Sequence, residues 1–367
     1  MRNYNLGKKY LVRKALFFVI IISAGMLNAQ SVRKYSNEFL NIGVDAASFG
    51  MANAVTATST DVNAGYWNPA GLTKVEDYQL SVMHASYFAN IANYDYIGGA
   101  MPLKENSAVA FSVIRFGVDD ILNTTQLIDD QGNINYDRIT KFSAADYAFT
   151  FSYAQYLPFE GLSIGANVKI IRRVIGKFAN SWGFGLDFGI RYETDNNWVL
   201  AAMVRDITTT YNTWSIDEDK FEDIQGAVPG ENQELPETSE ITIPKLNLGV
   251  AKTFTIRYDF DFKTEIDLQT RFAQTNDLIS TSAVSMTPAV GFEVGYIDMV
   301  YLRGGVGNFQ NVEQFNGDNR IGFQPGFGVG FKYAGISVDY AFTDIGNQSV
   351  ALYSNVFSLK LDWDAFR

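Results

Sequence analysis

A single histidine, His84, and no cysteine stand among 367 residues. The chain therefore offers neither a thiol nucleophile nor a histidine pair for metal binding or proton transfer. No Ser/His/Asp or metal-ligand spacing surrounds His84. Carboxylates are plentiful, with Asp+Glu 40 against Lys+Arg 29, and two groups of them could carry chemistry. From Tyr258 to Leu268, Asp259, Asp261, Lys263, Glu265 and Asp267 alternate with Tyr258, Phe260, Phe262, Ile266 and Leu268, which is the pattern of a strand with one acidic face. Pairing with arginines such as Arg191, Arg172 or Arg205 is the expectation for that row, and a metal the lesser alternative. The second group, Asp217 to Glu240, holds nine carboxylates against Lys220 alone and suits a solvated loop. Gly183-Phe184-Gly185 and Gly326-Phe327-Gly328 superficially match phosphate-binding glycines, but no helix follows either. The expectation is a protein that is not an enzyme and uses no cofactor and no metal.

The elements around these residues have period two. From Ser181 to Tyr192, Trp182, Phe184, Leu186, Phe188, Ile190 and Tyr192 share one face, and Gly183, Gly185, Asp187, Gly189 and Arg191 share the other. Gly322 to Tyr333 repeats the arrangement. A soluble sandwich would leave the glycine face in water, whereas a barrel in lipid turns it inward, where small residues make room for an inserted segment. Fourteen strands are expected, near 78–89, 93–103, 106–117, 145–157, 161–172, 181–192, 197–208, 244–254, 257–270, 285–296, 298–307, 322–333, 335–344 and 350–363. Short links alternate with long ones at 118–144, 209–243, 271–284 and 308–321, as the two rims of an outer-membrane barrel require. The closing strand places Phe357, Leu359, Leu361 and Trp363 outward, with Lys360 and Asp362 inward. His84 shares the parity of Leu80 and Val82; it faces lipid, where it is costly, or else a partner or the rim.

The expected architecture is an all-β transmembrane antiparallel barrel of about fourteen strands with an N-terminal hatch in its lumen. Residues 1–29 have a basic start, an apolar run from Ala15 to Leu27 and a small-residue Leu27-Asn28-Ala29 site, the form of a cleaved signal peptide. Cleavage removes five basic and no acidic residues, taking the net charge from -11 to -16, so no nucleic-acid partner is expected. Residues 30–77 are the hatch, rich in small residues and ending in Asn68-Pro69-Ala70-Gly71, and 78–367 are the barrel. The hatch is expected to enter from the short-turn rim, the periplasmic side of a Gram-negative outer membrane.

Phe39-Leu40-Asn41-Ile42-Gly43-Val44, Ala46, Gly50-Met51 and Ala64-Gly65-Tyr66-Trp67-Asn68-Pro69-Ala70-Gly71-Leu72 resemble the amino-terminal signature of the PorV/PorQ family of outer-membrane proteins. That family is related to the FadL fatty-acid transporters, which also carry an Asn-Pro-Ala motif in a hatch inside a fourteen-stranded barrel. Asp45-Ala46-Ala47-Ser48 departs from the family's small-Ala-Arg wording. The resemblance implies a Bacteroidetes accessory of type 9 protein secretion or gliding motility. Such an adaptor would dock, within outer-membrane lipid, on a translocon barrel, other machine subunits or secreted cargo. The alternative it implies is a FadL-like transporter of hydrophobic compounds. The acidic row Asp259, Asp261, Glu265 and Asp267 favours the adaptor, because an oily path would have to desolvate those carboxylates.

Overall fold

The computed structural model describes residues 36–87, 90–128, 131–217, 239–257, 259–313, 317–343 and 354–363. The signal segment at 1–29 and most of the acidic loop at 217–240 lie outside them. Alternating polar and apolar residues produce a single closed antiparallel sheet. Its strands are β1 (Gln79–Tyr87), β2 (Ala92–Lys104), β3 (Ser107–Asn123), β4 (Thr140–Tyr156), β5 (Leu162–Ile175) and β6 (Ala179–Glu193). Next come β7 (Trp198–Arg205), β8 (Thr210–Ile216), β9 (Ser239–Thr242), β10 (Lys245–Arg257), β11 (Phe260–Arg271) and β12 (Ile279–Ser280). The last are β13 (Ser285–Tyr296), β14 (Val300–Glu313), β15 (Asn319–Tyr333), β16 (Ile336–Thr343) and β17 (Ser354–Asp362).

These segments fill fourteen wall positions. β7 and β8 both pair with β6 and form one interrupted strand, β9 and β10 form another, and β12 is a two-residue ladder inside a loop. Closure comes from β1, which pairs with β2 on one side and β17 on the other. All fourteen expected strands are present. Two segments expected to be loop, Thr210–Ile216 and Ser239–Thr242, extend the wall instead. Their Thr, Asn and Ser content hides the period, and the wall breaks at 206–209 before the first and at 243–244 after the second.

Turns of two to five residues join β2 to β3, β4 to β5, β6 to β7, β10 to β11, β13 to β14 and β15 to β16. The opposite rim carries the long connections at 124–139 and 272–284, and the ends of β8 and β9 that flank residues outside the described ones. On the outside, Trp182, Phe184, Phe188, Ile190 and Tyr192 of β6 and Phe323, Phe327, Val329, Phe331 and Tyr333 of β15 are all exposed. Large side chains standing bare on an outer wall have hydrocarbon, rather than water, as their solvent. The core lies inside the barrel, where Phe39, Phe49, Met51, Tyr66 and Trp67 of the hatch pack against Met83, Tyr87, Tyr94, Tyr96 and Ile114 of β1 to β3.

Candidate functional site

The hatch spans the lumen. It starts beside the long-loop half of the wall, where Asn37 Nδ2 donates to Thr242 Oγ1 at 2.8 Å and Ser36 Oγ to Glu240 at 2.9 Å. It leaves at the short-turn rim, where Lys74 pairs with Glu193 at 2.8 Å before β1 begins. The segment expected to enter from the short-turn rim joins the wall there, and it finds wall partners along the whole passage to the long-loop side. Its turns are short: Glu38–Asn41, Ala46–Gly50, Ala64–Trp67 and Pro69–Lys74. With so little backbone pairing of their own, they draw acceptors and donors from the wall.

The motif Asn68-Pro69-Ala70-Gly71 is one of these junctions. Asn68 Oδ1 accepts from Ala70 N at 3.1 Å and caps the turn that Pro69 opens without an N–H to satisfy. Its Nδ2 donates to the carbonyls of Thr56 and Ile190, both at 3.2 Å, tying hatch to hatch and hatch to β6. Ser163 Oγ donates to Ala70 O at 3.1 Å. Wall glycines make the close approach possible, for a methyl at Gly165 or Gly189 would overlap Pro69 or Asn68. Gly291, Gly305 and Gly326 do the same for Phe49 to Ala52 on the opposite wall.

The acidic row of β11 divides by height. Asp259 is exposed at the rim turn, and Asp261 accepts from Thr255 Oγ1 at 2.8 Å. Glu265 and Asp267, both fully buried, grip the hatch. Asp267 Oδ2 accepts from Val55 N at 3.2 Å, Thr56 N at 3.1 Å and Thr56 Oγ1 at 2.6 Å. Glu265 accepts from Ala57 N at 2.5 Å, Thr58 N at 3.1 Å and Thr58 Oγ1 at 2.5 Å. Asp267 Oδ1 and Glu265 Oε1 converge on the space over Gly249, so the two carboxyls crowd one another. Arginine pairing, the sequence expectation for this row, is absent at both clamp residues, where hatch amides and hydroxyls take Asp267 Oδ2 and both Glu265 oxygens. Arg191 and Arg205 donate to hatch carbonyls, at Ala57 and at Leu40 and Tyr66, while Arg172 stacks on Trp182.

On the short-turn side of the hatch, a polar chamber of about 190 Å³ is lined by Asp45, Asp61, Lys263, Glu293, Arg303, Asp339 and Lys360. Its charges are internally paired: Glu293 with Lys263 and Arg303, Arg303 with Asp339, and Lys360 with Asp61. Burial pushes the Asp45 carboxyl up to about 6 against the attraction of Lys360. Burial would raise Asp61 too, but its contact with Lys360 outweighs that and holds it below the usual range. On the long-loop side, two chambers of about 430 and 280 Å³ share Glu38, Arg271 and Gln310.

The larger of these abuts the longest interruption in the wall. Four residues, 206–209, separate β7 from β8, opposite Ile243-Pro244 between β9 and β10. Pro244 has no amide to give the ladder. The inner edge of the interruption is pinned by Lys169, which pairs with Asp187 at 2.8 Å and Asp206 at 2.6 Å. Asp206 N donates to Asp187 and Ile207 N to Leu186 O, both at 2.9 Å. Nothing in the spacing of these three charges announces the pin, because they lie on separate strands.

His84 does face outward. Its Nδ1 sits 2.7 Å from Asp95 Oδ1, Arg115 lies 3.8 Å from Asp95 and 2.8 Å from Asp119, and the His84 side chain is 57% exposed. The row is set by register, since Phe357, His84, Asp95, Arg115 and Tyr147 are successive cross-strand partners.

No protein family and no curated protein matches the sequence. Solved structures do. Two crystal structures of the Pseudomonas putida toluene transporter TodX align with TM-scores of 0.53 and 0.51 at 12% identity, over 88% and 90% of this chain and 99% and 98% of theirs. A Pseudomonas aeruginosa FadL homologue aligns over 87% of this chain and 98% of its own, with a TM-score of 0.48 at 13% identity. The fold is the one seen in the TodX structures, a closed fourteen-stranded antiparallel barrel with an N-terminal hatch. The likeness is one of architecture, and the hatch of short helical turns is part of it.

Proposed function

We propose that the chain is an outer-membrane uptake barrel that receives a small ligand on its long-loop side and is gated by its hatch. The observation that carries this reading is the 430 Å³ chamber lying between the hatch and the interrupted wall at Ile243-Pro244. A receiving chamber, a plug and a weakened wall together suit a conduit better than an inert platform. TodX, whose fold this chain shares, is a toluene transporter. The lining differs from an oily path, since Glu38, Lys245, Arg271, Gln274, Asn276 and Gln310 bring charges and amides to it. The ligand is therefore polar or amphipathic rather than a plain hydrocarbon. The test is solute entry into liposomes carrying the purified barrel. Entry of polar organic solutes that saturates with concentration supports the reading, and liposomes no leakier than protein-free ones refute it.

A docking role favours one different observation. His84, Asp95 and Arg115 stand on the outer face of β1 to β3, where lipid would leave them costly to solvate. A partner in the membrane plane, such as the type 9 translocon barrel implied by the PorV/PorQ resemblance, would cover them. Purification of the tagged protein from native membranes in mild detergent tests this. Stoichiometric recovery of a large second barrel supports docking, and loss of that recovery in His84→Leu/Asp95→Leu assigns it to this face.

A further inference from the structure

We infer that the long-loop vestibule holds a carboxylate site, made by Arg205, Lys245 and Arg271, for an acid carried on a polar, hydrogen-bonding body. The inference rests on the uptake reading and names the class of ligand. Lys245 is the direct cross-strand partner of Arg205 on β7 and of Arg271 on β11, so three cations stand side by side in one row. All three line one cleft of about 30 Å³ that shares residues with both larger chambers. Like charges directly opposite one another on neighbouring strands are destabilising, and a row of three compounds the cost. An anion in the cleft would reverse its sign.

Among the described residues, no carboxylate forms an ion pair with Lys245 or Arg205. Arg271 has Asp277, at 2.8 Å and on the loop side. Lys245 Nζ donates to an uncharged amide, Asn41 Oδ1, at 2.7 Å. Arg205 donates to the carbonyls of Leu40 and Tyr66, at 3.2 and 2.8 Å, and lies over the Tyr66 ring at 4.4 Å. Its Nε, fully buried, has no acceptor. The carboxylates nearest to Arg205 in the wall, Asp187 and Asp206, are themselves bonded to Lys169. Glu38 borders the vestibule and its charge acts on Lys245 without an ion pair, its Oε2 accepting from Asn41 Nδ2 instead. An unpartnered guanidinium N–H beside two further cations is a planar acceptor's binding site.

The body of the ligand is read from the remaining walls. Asn41, Asn53, Asn247 and Gln269 line the same cleft, and side-chain amides offer donors and acceptors together. Hydroxyls of a sugar acid and the peptide groups of a short C-terminal tail both use that pattern; an alkyl chain uses none of it.

Calorimetry on the purified barrel in detergent tests this without any flux measurement. The probes are galacturonate against galactose, an N-acetylated tripeptide against its C-terminal amide, and octanoate. At least one polar acid should bind, at least tenfold tighter than its neutral counterpart, and whichever pair responds separates sugar from peptide. Lys245→Gln should weaken that binding roughly ten- to a hundred-fold, the range of one charge-assisted hydrogen bond. Arg271→Gln should act in the same direction. Lys245→Gln is the primary variant because Arg205 also ties the hatch. Heat-modifiable migration on a gel checks that each variant is folded. The inference is overturned if no acid binds, if neutral counterparts bind equally, if folded Lys245→Gln binds like wild type, or if octanoate binds tightest. Binding without solute entry into liposomes would refute the uptake reading and leave the site standing.

Discussion

Replacing Asp267 by alanine or by asparagine should have opposite outcomes, and the difference follows from its two oxygens. Oδ2 accepts three hydrogen bonds from Val55 and Thr56 of the hatch. Oδ1 is buried without a hydrogen-bond partner and converges with Glu265 Oε1 over Gly249. Asp267→Ala strands the Thr56 N–H and hydroxyl in a buried site, at about 1–3 kcal/mol each, and leaves Val55 N only its 3.1 Å bond to Asn53 O. Relief of crowding at Glu265 offsets part of that, leaving a net loss near 3 kcal/mol, or about a hundredfold in the population of the released hatch. Asp267→Asn keeps one oxygen for Val55 and Thr56, and it turns an NH₂ toward Glu265, where an acceptor waits. It should leave the hatch as firmly seated as in wild type or firmer. Hydrogen exchange at the amides of Val55 and Thr56 reads the difference directly. In the alanine variant they should exchange about a hundredfold faster, with larger solute entry into liposomes, while the strands of the barrel stay protected. Equal loosening by alanine and asparagine would refute the account of the clamp, as would an alanine variant with unchanged exchange.

Three further outcomes follow from the same contacts. Asp45, with a carboxyl at about 6 when seated and 3.8 ordinarily, is protonated in the seated hatch at pH values where the released one is ionised. Seating is thus strongest near pH 4 and loses about 3 kcal/mol as pH rises through 6; exchange at Ala46 to Phe49 between pH 4.5 and 7 should follow it, and Asp45→Asn should flatten the profile. The groups around Asp45 are Lys360, Asp61, Asp339, Arg303 and Ser358, and Asp61, held low by Lys360, stays ionised across that window. Gly326→Val would drive a side chain into the carbonyl of Phe49, so a folded barrel should form with residues 46–53 newly open to protease; protection equal to wild type would count against the socket. Phe357→Asp or Leu359→Asp, placing a carboxylate on the exposed face of β17, should destabilise by less than the ~2–4 kcal/mol of a basic residue at mid-membrane depth and still cut the yield of assembled barrel; an unchanged yield would place that face out of lipid.

Much of the wall was legible because a strand in lipid must alternate, and the fourteen alternating segments survive errors of a few residues at each end. Where pattern fails is where the wall is broken: Thr210–Ile216 and Ser239–Thr242 carry Thr, Asn and Ser on both faces, and their register to β6 is displaced across residues 206–209. The site was legible only as residue type. Asp259, Asp261, Glu265 and Asp267 form an acidic row in sequence, yet their partners depend on height in the lumen, which a linear alternation does not encode. The hatch amides at residues 55–58 were invisible as partners because backbone donors carry no sequence signature. The Arg205–Lys245–Arg271 row was hidden for a stronger reason. Those residues are 40 and 26 positions apart, each unremarkable alone, and only strand register makes them neighbours. Cross-strand register is set by turns and closure, so a site built from it is a property of the barrel rather than of any segment. Relatives that keep every segment but slip one strand by two residues would keep the fold, the hatch and the outer belt, and lose the cationic row.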